Sequence, residues 1–158
     1  MTKNIEATVE ISASAATIWS VLVDGPRFPE WNPFIRRWEG ELRVGNRVSI
    51  GLQPPGGRVF SFRPTVLAVD PNREIRWLGK VGPGGLFDGE HSLRLEPISP
   101  SKTRFVQSER FTGILVPVLR GTVAGALAGF VLMNDALKRR SEAGVVERDS
   151  PQVPSARA

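Results

Sequence analysis

The chain has 158 residues, 41% of them hydrophobic and 23% charged, the make-up of one globular domain with a core of its own. With no cysteine and one histidine, disulfides and thiolate zinc sites are excluded, and neither a metal nor another cofactor is expected. The 21 basic and 16 acidic residues leave a net charge of +5, yet no basic run interleaved with aromatics marks a nucleic-acid surface.

The opening "MTKNIEATVEIS" carries charges and lacks the apolar core of a signal peptide. It alternates instead: Ile5, Ala7, Val9 and Ile11 on one face, Glu6, Thr8, Glu10 and Ser12 on the other, as a half-buried strand does. "SASAATIWSVLVDG" predicts a helix capped by Ser12 or Ser14, with Ile18, Val21 and Leu22 on its apolar stripe and Gly25-Pro26 as its stop. "RFPEWNPF" reads as a short helix or turn.

From Ile35 to Ile114 the chain reads as short strands separated by turn signals. "RVSIGLQ", "RVFSFRPTVLAV", "EIRWLGKV", "EHSLRLEPI" and "TRFVQSERFTGI" are parted by "PPGG", "DPNR", "GPGG" and "SPSK". That spacing predicts an antiparallel meander. A long helix is expected from Val116 or Pro117 to Ala143, with Leu119, Val123, Leu127, Phe130 and Leu137 at helical spacing and Gly144 as its cap. The apolar stretch "ILVPVLRGTVAGALAGFVLM" is interrupted by Arg120, and the uninterrupted remainder falls short of the ~18 residues that suggest a membrane span. A soluble, cytoplasmic protein without stable membrane insertion is therefore expected. Residues 1–143 form the expected domain; residues 144–158, polar and with two prolines, are expected to be a disordered tail.

The predicted architecture is α+β. About six to seven strongly curved antiparallel strands wrap around a long C-terminal helix, with two short helices between the first and second strands. Such a sheet has one face to bury, and the last helix is the long apolar element available to cover it. The order and spacing of "ISASAATIWSVLVD", "FPEWNPF", "FRPTVLAVDPNREIRWLG", "GEHSLRLEP" and "TRFVQSERFTG" resemble the SRPBCC superfamily of START-like helix-grip proteins, in its polyketide cyclase/dehydrase-like branch. The resemblance implies a ligand cavity between sheet and helix, and leaves the ligand open.

Period-two parity indicates which side chains face that cavity. In "EHSLRLE", Glu90, Ser92, Arg94 and Glu96 take the wet face, so His91, Leu93 and Leu95 point inward. In "TRFVQSERF", Phe105, Gln107, Glu109 and Phe111 form the inner set, although Val106 then falls on the outer side. His91, Gln107 and Glu109 are thus candidates for one polar cluster. Such groups, buried without partners, would cost roughly 1–3 kcal/mol each, so they bond to one another, to water or to a ligand. Two readings stand: His91 and Glu109 satisfy each other across strands, or the cluster orients a ligand's polar head. As an enzyme, His91 or Glu109 is the candidate acid/base.

Trp77 shares parity with Ile75, Trp38 lies between Arg37 and Glu39, and both are expected to face inward. Trp31 and Phe34 are expected at the cavity mouth. The expected ligand-binding set is Trp31, Phe34, Trp38, Phe62, Trp77, His91, Leu93, Phe105, Gln107, Glu109 and Phe130, and the expected ligand is a small hydrophobic molecule, lipid-like or polycyclic aromatic. The alternative is a cyclase/dehydratase-like enzyme acting on a carbonyl compound in the same cavity. A third reading is a homodimer formed through the apolar helix face. Gly121, Gly125 and Gly129 form a stripe on that helix; each costs ~1 kcal/mol relative to alanine, so close packing or room for a ligand must account for it.

Overall fold

The computed structural model describes residues 1–149. In chain order it contains β1 (Thr2–Ile11), α1 (Ala15–Leu22), a 3-10 turn (Gly25–Arg27), α2 (Phe28–Trp31), β2 (Ile35–Glu39), β3 (Ser49–Leu52), β4 (Phe60–Phe62), β5 (Thr65–Asp70), β6 (Glu74–Val81), β7 (Phe87–Ser99), β8 (Lys102–Thr112) and α3 (Arg120–Asp149). The strands divide into a five-stranded sheet, β1-β8-β7-β6-β5, and a three-stranded sheet, β2-β3-β4, antiparallel throughout.

The α+β helix-grip architecture is as expected, but one sheet of six to seven strands becomes two sheets. The reason lies in "FRPT". Pro64 has no N–H to give to a ladder, so the stretch expected as one strand breaks into β4 and β5. The two sheets stay joined through residues 45–48: Arg47 bridges Thr65, Gly45 N–H donates to Val66 O, and Val48 N–H donates to Pro64 O.

Local chemistry sets the helix boundaries. Ser14 caps α1, its hydroxyl accepting from Thr17 N at 3.1 Å, while Ile18 and Leu22 turn into the core. Asn32, fully buried, closes α2 and directs the chain into β2, its Oδ1 accepting from Phe34 N (2.9 Å) and Ile35 N (2.8 Å). That pair of bonds sets where the Phe34 ring falls.

α3 begins later than expected, because Leu115–Leu119 forms a turn, Val118 and Leu119 both donating to Leu115 O. It also continues through Gly144, which is therefore not its cap. Residues 150–158, the greater part of the expected tail, lie outside the described residues. The helix packs along β1 and against α1, burying Val123, Phe130, Met133, Ala136 and Leu137. Leu127, expected on that stripe, is instead exposed, as are Val131 and Leu132. Among the described residues, no helix is long and apolar enough to cross a membrane.

Candidate functional site

The register of β6, β7 and β8 lays inward residues in rows across the sheet. Ile75, Leu93 and Gln107 form one row, Trp77, His91 and Glu109 the next, and Gly79, Gly89 and Phe111 the third. The third row leaves a gap in the floor, since two of its members have no side chain. A Cβ on Gly79 would stand 2.9 Å from the Phe62 ring, and one on Gly89 would collide with the Glu109 carboxylate. Above this gap lies a cavity of about 100 Å³, bounded by Trp77, Phe87 and Phe111 on the sheet, Leu52, Phe60 and Phe62 on the small sheet, and Phe34, Thr122 and Ala126 on the helix side. An apolar cavity of ~150 Å³ admits benzene, and drug-sized ligands occupy about 300–1,000 Å³. This half-open space is thus on the scale of one aromatic ring.

His91 is 4% exposed and tightly held. Its ring stacks on Trp77 (centroids 4.6 Å apart, planes 7° apart) and meets Phe130 edge-on at 4.8 Å. Gln107 Nε2 lies 3.2 Å from His91 Nε2 and 3.4 Å from Met133 Sδ. The Gln107 side-chain amide thus pairs with the Nε2 edge of the ring and leaves the Nδ1 edge to Glu109. Nδ1 faces Glu109 Oε2 at 3.5 Å, a long hydrogen bond. The Glu109 side chain is 17% exposed, and this exposure opens on the cavity.

Of the residues singled out in the sequence, Phe34, Phe62, Trp77, His91 and Glu109 line the cavity. Gln107 and Phe130 stand behind His91, fully buried. Leu93 and Phe105 belong to the core beneath and do not reach the cavity. Trp38 is also a core residue: it packs edge-on against Phe28 and Trp77 and donates from Nε1 to Gly40 O. Trp31, expected at the mouth, lies in a separate surface groove with Arg27 and Arg140, because α2 presents it to the C-terminal part of α3. Ser92, expected on the wet face, is buried, its hydroxyl donating to Glu74 Oε1 at 2.8 Å. Val106 keeps its outward parity and is nonetheless buried, paired with Thr8 and Arg94.

The sequence reading did not assign Gly79, Gly89, Phe87 or Phe111 to the site, although the parity that placed Trp77, His91 and Glu109 inward places these four inward as well. Leu52, Pro54, Phe60 and Ala126 offered no such signal, since the small sheet and α3 reach the cavity only through tertiary packing.

The family described as polyketide cyclase/dehydrase and lipid transport matches residues 2–142. The chain belongs to this family. Among solved structures, the family member is similar to Zhui aromatase/cyclase from a Streptomyces species (17% identity, TM-score 0.79, covering 96% of this chain and 100% of that one). It is also similar to norcoclaurine synthase from Thalictrum flavum (19% identity, TM-score 0.69, 95% and 98% covered). A START superfamily protein from Mycobacterium smegmatis is 25% identical, with TM-score 0.62 and 93% and 99% covered. At such identities these likenesses show a shared helix-grip fold. A comparison with curated proteins finds no match.

Proposed function

We propose that this protein binds a small hydrophobic molecule, aromatic or lipid-like, in the cavity between sheet and helix. The observation that carries the reading is the glycine gap in the sheet, walled by phenylalanines and Trp77, with one polar pair at its side. A few polar groups in an otherwise apolar concavity are the usual make-up of a ligand site. The space encloses about one ring, so a larger ligand extends past Phe60 and Phe62 toward solvent. A cytoplasmic location and the lack of a nucleic-acid partner are part of the proposal, the second supported by the lack of a basic run interleaved with aromatics. A homodimer through the exposed side of α3 is a separate reading, decided by size-exclusion chromatography.

A thermal-shift and native mass spectrometry panel of neutral aromatic compounds tests the proposal. The expected result is a bound complex and a raised melting temperature; a ligand at 100 times its Kd stabilises by ≈ 2.7 kcal/mol. Ala126→Phe, which fills the cavity from the helix side, is expected to abolish the shift. Shifts that persist in that variant would place the ligand elsewhere.

The second reading, an enzyme of the cyclase/dehydrase kind, is favoured by one observation: a carboxylate and an imidazole in contact at the cavity wall. It requires that an enolisable carbonyl compound be converted, and that Glu109→Gln or His91→Gln lower turnover far more than affinity. Equal loss of both returns the pair to binding.

A further inference from the structure

Resting on the cavity-binding reading, we infer that the cavity selects ligands presenting a hydrogen-bond donor, a hydroxyl or ammonium group, and rejects carboxylates and phosphates, with Glu109 making the choice. The lining residues include two titratable side chains, His91 and Glu109. Of these, His91 has nothing left to offer. Its Nε2 is occupied by the Gln107 amide, its Nδ1 faces Glu109, and its ring is covered by Trp77 and Phe130.

Glu109 is in the opposite condition. An ionised carboxylate offers about four acceptor positions. Among the described residues this one makes a single hydrogen bond, the long contact with His91. It lies over Gly89, where the missing Cβ lets the carboxylate rest against the strand and face the cavity. The nearby arginines on these strands belong to the outer face: Arg76 bonds Glu90 at 3.1 Å, and Arg110 is exposed. Among the described residues, no lysine or arginine lines the cavity. An anionic head placed there would meet a like charge without a counterion, whereas a donor would meet an acceptor with free lone pairs.

The test is isothermal titration of the full chain at neutral pH with three compounds of one shape: naphthalene, a naphthol and the matching naphthoate. Hydrogen bonds to a charged group are strong enough that the naphthol should bind at least about tenfold more tightly than the naphthoate. Glu109→Gln should shrink that gap, mainly by admitting the naphthoate. A naphthoate that binds wild-type protein as tightly as the naphthol overturns the inference without any variant being needed. A gap unchanged in Glu109→Gln overturns it too. In both cases cavity binding stands. If none of the three binds, and benzene, phenol and benzoate do not bind either, the cavity-binding reading itself fails and takes this inference with it.

Discussion

Gly121 and Gly129 sit two turns apart on α3 and face opposite circumstances. A Cβ at Gly121 would meet nothing within 4 Å, whereas one at Gly129 would collide with the Phe34 ring. That ring has no retreat: it is 3% exposed and meets Phe130 edge-on at 5.8 Å. Close packing therefore explains Gly129, although the partner is a ring just before β2 rather than the sheet. It does not explain Gly121. Gly121→Ala should stabilise the protein by up to ~1 kcal/mol through helix propensity. Gly129→Ala should destabilise it by about 1–2 kcal/mol, overpacking outweighing the same propensity gain. Chemical denaturation of both variants measures this, and equal signs would contradict the packing described. His91 shows the same dependence on neighbours: Gln107 pairs with its Nε2 edge, and Trp77 and Phe130 fix its plane.

At the scale of elements, the C-terminal half of α3 is tied to the corner between β1 and α1 through Glu142. Its carboxylate accepts from Ser12 N at 2.9 Å and Lys138 Nζ at 2.7 Å, and Lys138 also donates to Glu10 O. The Lys138 hydrogen bond first, then the Ser12 N–H, hold the Glu142 carboxyl below its ordinary value against the opposing effect of burial. A carboxyl lowered in the folded state contributes stability above its unfolded value and loses that contribution as pH falls through the folded one. Stability should accordingly decline on acidification below the ordinary carboxylate range. Glu142→Ala should cost about 1 kcal/mol at neutral pH, discounted for partial exposure, and should flatten part of that decline. Glu10 and Glu30 are lowered by their basic partners in the same direction, from exposed positions that salt screens. Urea unfolding of wild type and variant across pH reads the difference; parallel curves would show that the corner tie is not linked to the proton.

Across the whole molecule, stability is unevenly spread, and the uneven part borders the cavity. β7 and β8 run 13 and 11 residues through the middle of the large sheet, while β4 is three residues long with Phe60 47% exposed. Few buried contacts and a short ladder mark the segments that open first. Amides of Phe60–Phe62 should therefore exchange orders of magnitude faster than those at the centre of β7, and a bound aromatic ligand should slow them. Hydrogen exchange followed by mass spectrometry checks both expectations. Equal protection in β4 and β7 would mean that the wall is rigid and that the enclosed single-ring volume is the true limit on ligand size.

What the order of residues determined alone was local and periodic. Alternation in "NIEATVEIS", "EHSLRLEP" and "TRFVQSERF" is a property of the extended chain itself, so the faces of β1, β7 and β8, and with them the inward turn of His91, Gln107 and Glu109, could be read without coordinates. Ser14 and Pro64 act within a few residues of themselves, and their effects were open to the same reading, though the break at Pro64 was not expected. Tertiary structure alone decided the rest. Trp31 and Trp38 are the same residue seven positions apart, yet one borders a surface groove and the other supports the core, because α2 and β2 turn them toward different partners. The cavity itself depends on two glycines on neighbouring strands coming into register beneath residues from the small sheet and α3. Distance along the chain carries no record of that meeting, since the hydrophobic effect that drives it rewards buried area without regard to which segments supply it.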